Sequence, residues 1–141
     1  MQVQEGVGWR LCLDHGRGSF PVLIGGEGWA VELQAEEAWA LADACCRLAD
    51  ELAALADRLM PEEELSLELE RGPLWLELEG RAHAWCVRFV LTPGPAARAV
   101  EAGWSEAASP AVVAALRQLL ELSPAPGALR MGAQSAADQH C

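Results

Sequence analysis

Four carboxylates draw attention through their spacing. Glu68 and Glu70 alternate with Leu67 and Leu69, and Glu77 and Glu79 alternate with Leu76 and Leu78. Period-two alternation puts the glutamates on one face of two strands and the leucines on the other. Arg71-Gly72-Pro73 between the runs is a turn, so the strands should pair. Paired carboxylates can act as general acid and base when they are desolvated and their pKa values are split. Here Trp75 is the one apolar residue interleaved on the outward phase, which points to an acidic sheet surface instead. Like charges side by side destabilise a sheet, and Arg88, Arg10 and Arg98 are the candidates to offset them. The bland expectation for such a face is solvation, with exposed ion pairs worth about 0–1 kcal/mol each. The functional expectation is a docking face for a basic partner, made of Glu68, Glu70, Trp75, Glu77 and Glu79. An aromatic residue in the position of Trp75 can anchor a protein contact, stack a base, or lie under the helix of a neighbouring subunit.

Other chemistry-bearing residues give less. The five cysteines, Cys12, Cys45, Cys46, Cys86 and Cys141, are odd in number and lack Cys-x-x-Cys spacing. That is neither a disulfide framework nor a zinc site, and reduced structural thiols in a cytoplasmic protein are expected. His15, His83 and His140 have no ligand partner at i+2 or i+4. His83 and Cys86, three apart on a strand, would point to opposite faces. Gly25-Gly26-Glu27-Gly28 lacks the dinucleotide-binding spacing and runs into a strand, whereas a phosphate cradle needs a helix N-terminus behind it. No catalytic, cofactor-binding or metal-ligating residue is assigned.

Composition narrows the classes further. The 141 residues carry a net charge of −11, and all ten basic residues are arginine. A nucleic-acid-coating surface would be basic, so nucleic acid is disfavoured as a partner. No stretch of about 18 apolar residues runs without a charge, so no membrane span is expected. The opening MQVQEGVGW lacks the pattern of a signal peptide.

The elements that must position these residues follow from periodicity. Trp9, Leu11 and Leu13 mark one strand, Phe20 to Ile24 a second, and Trp29, Val31 and Leu33 a third, with short turns between them. Residues 35–60 change period: Leu41, Cys45, Leu48, Leu52, Leu55 and Leu59 recur at 4-3-4-3-4. That is a helical seam, ended by Pro61. A helix of about 26 residues spans roughly 39 Å, more than the roughly 30 Å diameter of a small domain. The seam Leu41, Leu48, Leu52, Leu55 and Leu59 must then pack on a long sheet or on a second subunit, and a homodimer is expected. Strands at 65–70, 74–79 and 85–91 follow, with a shorter fourth near 98–104. Ser109 and Pro110 open a helix to about Leu122. Gly28-Trp29 and Gly103-Trp104 each lead through an acidic residue towards a helix, which implies a duplication. The predicted fold is α+β: a duplicated antiparallel meander followed by a helix, in the order βββ-α-ββββ-α. It forms one domain over 1–122, with a disordered tail over 123–141.

The stretches Glu5–Leu11, Gly25–Leu33 and Gly80–Phe89 resemble, in order, the cyanobacterial family called domain of unknown function 1818. The resemblance covers residues 5–121. It implies a fold like that of the Whirly-like single-stranded-DNA-binding transcriptional regulators, and a family without an established activity. The expected function is that of a small non-enzymatic protein-binding or adaptor module, with single-stranded nucleic-acid binding as the alternative implied by the resemblance. The alternative needs an arginine patch, for which Arg10, Arg81, Arg88 and Arg98 are the candidates.

Overall fold

The computed structural model describes residues 1–122. The expected tail, with His140 and Cys141, lies outside the described residues. Four strands form the first sheet in the order β1-β2-β3-β4: β1 (Gln2–Gly6), β2 (Trp9–Leu13), β3 (Val22–Gly26) and β4 (Trp29–Leu33). Helix α1 (Ala35–Leu55) follows. The second sheet repeats the order with β5 (Leu65–Arg71), β6 (Leu74–Arg81), β7 (Ala84–Leu91) and β8 (Val100–Gly103), and α2 (Ser109–Glu121) closes it. All six strand pairings are antiparallel.

The architecture is α+β with the expected duplication, and it is more symmetric than the sequence pattern implied. The first unit has a fourth strand, β1, which pairs along its whole length with β2. Its residues Gln2-Val3-Gln4-Glu5 carry one apolar side chain, so no alternation announces it. It is an edge strand held by backbone pairing, and all but Gln4 of its residues are exposed. The second strand also sits two residues later than expected, at Val22–Gly26, and leaves Phe20 44% exposed. Gly25 and Gly26 therefore belong to β3, and the turn is Glu27-Gly28, with Gly28 at φ 76°.

α1 is 21 residues long, and a 3-10 turn over Ala56–Arg58 extends it. The span of the α-helix is about 32 Å, which the domain itself accommodates. The helix stops short of residue 60 because a residue before proline disfavours the helical region; Leu59 is already extended. Leu41, Cys45, Leu48 and Leu52 are buried, and α1 packs on β5 and β6 and against α2. Leu59 is partly buried against the same core, while Leu55 is half-buried at the helix end. The seam is thus covered within the chain. α2 in turn packs on β2 of the first sheet and β7 of the second, so one core joins the two units.

Two tryptophans lock this arrangement reciprocally. Trp29 Nε1 donates to the Gly103 carbonyl across the units (3.1 Å), and Trp104 Nε1 donates to the Gly25 carbonyl in the opposite direction (2.9 Å). Their rings lie 5.4 Å apart, with Phe89 within 6.1 Å of Trp29 and 5.6 Å of Trp104. The repeated Gly-Trp steps are therefore the joint between the halves. Ser109, expected to cap α2, does something else. It is fully buried, and its hydroxyl accepts from the Val87 N–H and donates to the Trp104 carbonyl, both at 3.1 Å. Among the described residues no side chain caps α2; Ser105 Oγ accepts from the N–H of Ala108, the residue just before the helix.

Candidate functional site

The second sheet turns its leucines inward and its polar residues outward. Leu74, Leu76, Leu78, Val87, Phe89 and Leu91 are buried in the core. The register then arranges the outer face in rows. Ser66 lies opposite Glu79 and Glu79 opposite Cys86; Glu68 lies opposite Glu77, Glu77 opposite Arg88 and Arg88 opposite Gly103. The next row is Glu70, Trp75, Val90 and Glu101. The sequence expectation that the four glutamates share one outward face is met, and Val90 is an additional apolar residue on it.

The centre of the face is a closed network. Glu77 is the most buried of its carboxylates, with its side chain 11% exposed. One of its oxygens accepts from Arg88 Nε (2.8 Å) and the other from Ser66 Oγ (3.0 Å). A buried carboxylate needs such partners to offset desolvation. Arg88 also reaches Glu101 (3.4 Å) and lies 4.7 Å above the Trp75 ring centroid. Trp75 is therefore covered by a cation from its own sheet. Arg88 fits because its neighbour on β8 has no side chain: a Cβ at Gly103 would stand 2.8 Å from Arg88 Cβ.

Around this centre the remaining charges are open. Glu68, Glu70 and Glu79 are exposed, and among the described residues no cation lies within salt-bridge distance of them. Arg71, at the end of β5, is turned away to Asp43 on α1, which Arg47 also contacts. Burial would raise the Asp43 carboxyl, but the hydrogen bonds and charges of Arg71 and Arg47 outweigh it and hold the group below its ordinary value. Cys86, on the outer face beside Glu79, is pushed up by burial and then by the charges of Glu79, Glu106 and Glu77. Burial likewise raises Cys45 and Cys46. These thiols are held in the protonated form.

The other sequence candidates stay apart. Arg10 is on β2 of the first sheet, and Arg88 is engaged by Glu77 and Glu101. Arg81 ends β6, at the opposite end of the second sheet from Arg98, which precedes β8. The structure does not bring these four together. His15 lies in a 3-10 turn and His83 in the β6–β7 turn, both exposed. Among the described residues no three His, Cys, Asp or Glu are grouped to hold a metal ion, and no helix is long and apolar enough to cross a membrane.

The surface also carries hollows, two of which are bordered by the described residues of the first sheet. An open one of about 610 Å³ at the turn end of the first sheet is bordered by Glu5, Arg10, Glu27 and the two tryptophans Trp9 and Trp29. A smaller one of about 260 Å³ lies between β4 and β8. Glu5 and Glu27 in the first are exposed. Of the two glutamates in the second, Glu32 pairs with Arg17 and Glu37 accepts from the Gln34 N–H at the start of α1.

Comparison with known proteins agrees with the resemblance read from the sequence. A search of curated proteins returned no match. Among solved structures, the chain is similar to a protein of unknown function from the DUF155 family of Prochlorococcus sp. NATL2A, at 37% identity and a TM-score of 0.80. The match covers 84% of this chain and 98% of that one. The Whirly-like fold that the resemblance implied is not confirmed by these comparisons. Residues 4–119 match the family model described as domain of unknown function 1818, and the chain belongs to that family.

Proposed function

We propose that the chain is a small non-enzymatic cytoplasmic adaptor whose second sheet docks a basic protein partner through its outer face. One observation carries the reading. Glu68, Glu70 and Glu79 are exposed, and uncompensated among the described residues, beside a centre, Glu77–Arg88–Trp75, whose side chains are already fixed by one another. Fixed groups lose little freedom on binding, and an uncompensated acidic field attracts and orients a cationic surface. Catalysis receives no comparable support. A working carboxylate would be desolvated and free to meet a substrate, and the glutamates of both hollows are exposed or engaged. The proposal does not depend on a homodimer; Leu41, Leu48 and Leu52 of the seam are buried within the chain, and Leu55 and Leu59 are half-buried.

Affinity capture from cyanobacterial lysate at low salt, split into nuclease-treated and untreated halves, tests the reading. Protein partners that survive nuclease and fall away as salt rises are the expected result. Partners that vanish with nuclease would replace it with nucleic-acid binding.

A further inference from the structure

The second sheet ends in a long, regular edge that is guarded by charge rather than by proline, a bulge or shortness. β5 is an outermost strand, and all seven of its residues pair in register with β6. Among the described residues the backbone N–H and C=O groups on its far side have no strand partner. Proteins commonly blunt such edges with proline, bulges, very short strands, charged side chains or a covering helix or loop, and of these β5 carries charge, in Glu68, Glu70 and Arg71. Leu65-Ser66-Leu67-Glu68-Leu69-Glu70-Arg71 contains no proline, lysine or glycine, and its ladder with β6 has no bulge. The strand is also held firmly, by the Arg71–Asp43 ion pair to α1 and by the Ser66–Glu77 hydrogen bond to β6.

The two faces of this edge differ in chemistry. Leu65, Leu67 and Leu69 are half-buried, whereas Leu76 and Leu78 beside them on β6 are fully buried, so an apolar ledge runs along the inner side. On the outer side stand the exposed Glu68 and Glu70. A second copy of β5 is a poor occupant. Antiparallel self-pairing centred on Glu68 sets Glu68 against itself, centring on Leu69 sets it against Glu70, and centring on Leu67 sets Glu70 against Glu64. Like charges directly opposite destabilise a pair.

We propose that β5 accepts an added strand from a partner protein: an extended segment with apolar side chains on one face and Arg or Lys on the other. Its backbone would complete the open ladder, its apolar residues would cover the leucine ledge, and its cations would meet Glu68 and Glu70. The proposal rests on the acidic-face reading and adds where and in what conformation the partner binds.

The test uses the full chain and three octapeptide probes. One alternates arginine and valine, one has the same composition in two blocks, and one is the alternating peptide N-methylated at alternate residues. The alternating peptide should bind best, and N-methylation should cost about tenfold in affinity through lost backbone hydrogen bonds. Amide exchange along β5 should slow by about tenfold in the complex. Glu68→Gln with Glu70→Gln should weaken binding while leaving the strand intact. Equal binding of all three peptides, with β5 exchange unchanged, would overturn strand addition and leave acidic-face docking standing. Failure of every peptide to bind would overturn strand addition, and the capture experiment would then judge the face by itself. A peptide-free dimer with protected β5 amides would overturn it in favour of self-pairing.

Discussion

Across the outer face of the first sheet one row reads Val3, Cys12, Leu23 and Glu32; across the second, a corresponding row reads Glu68, Glu77, Arg88 and Gly103. The strand order is the same, yet one exterior is largely neutral and the other is a charged network. On the first sheet Glu32 is answered by Arg17 from the 3-10 turn. On the second, three of the four glutamates are answered by nothing in the described chain. The inner faces, by contrast, are alike in kind, and the halves are joined through equivalent tryptophans. The joint specifies the fold, and the outward positions are free to diverge.

The largest expected effect lies at the joint. Trp104→Ala should cost about 3–5 kcal/mol, as large buried aromatics do, and Trp29→Ala less, since Trp29 is half-buried. Urea unfolding would check both, and equal, small losses would mean that the joint does not hold the halves together. Next comes Gly103→Ala. It should cost about 1–3 kcal/mol by overpacking, and it should displace Arg88 from Trp75, visible as a change in tryptophan fluorescence.

The charged pairs should separate the two sheets more finely. Glu77→Gln should cost about 1–2 kcal/mol, because it removes a charge-assisted bond from a buried group. Arg17→Gln, in the 3-10 turn that answers Glu32 of the first sheet, should stay within about 0.5 kcal/mol, as exposed pairs do. Urea midpoints that fell equally would erase this contrast.

A pH-dependent effect concerns Asp43. Its carboxyl is held below its ordinary value when folded. Its contribution is therefore fully present above the unfolded pKa of about 4 and is lost as pH falls through the folded value. Asp43→Asn should be less stable than the natural chain by about 1 kcal/mol at neutral pH. The difference should shrink below about pH 4; a difference independent of pH would show that the carboxylate charge does not tie β5 to α1.

Much of this molecule was legible in its residues, and the reasons are physical. Alternation in Leu65–Leu69 and Leu74–Leu78 gave strand and facing together, because a buried inner face enforces period two. Gly-Trp steps announced the repeat. β1 was not legible, because Gln2–Gly6 buries almost nothing and is held by backbone bonds, which carry no side-chain signature. Ser109 was misread because a serine before Pro110 fits a cap on local grounds, while its true partners, Val87 and Trp104, come from other elements. The length of the apolar seam implied a long sheet or a second subunit, and α1 packs on β5, β6 and α2 within the chain. At the candidate site the glutamates and Arg88 were readable as a set. The burial of Glu77 and the stacking of Arg88 on Trp75 were not, since both depend on cross-strand register.

The central claim, that the second sheet's outer face docks a basic partner, is tested most directly by moving charge on each sheet separately. Capture from nuclease-treated lysate would compare the natural chain, a variant with Glu68→Arg, Glu70→Arg and Glu79→Arg, and a variant with Glu5→Arg and Glu32→Arg on the first sheet. Circular dichroism would confirm that each is folded. Loss of partners from the second-sheet variant alone is the predicted result. Undiminished capture by that variant, or equal loss from both, would contradict the account.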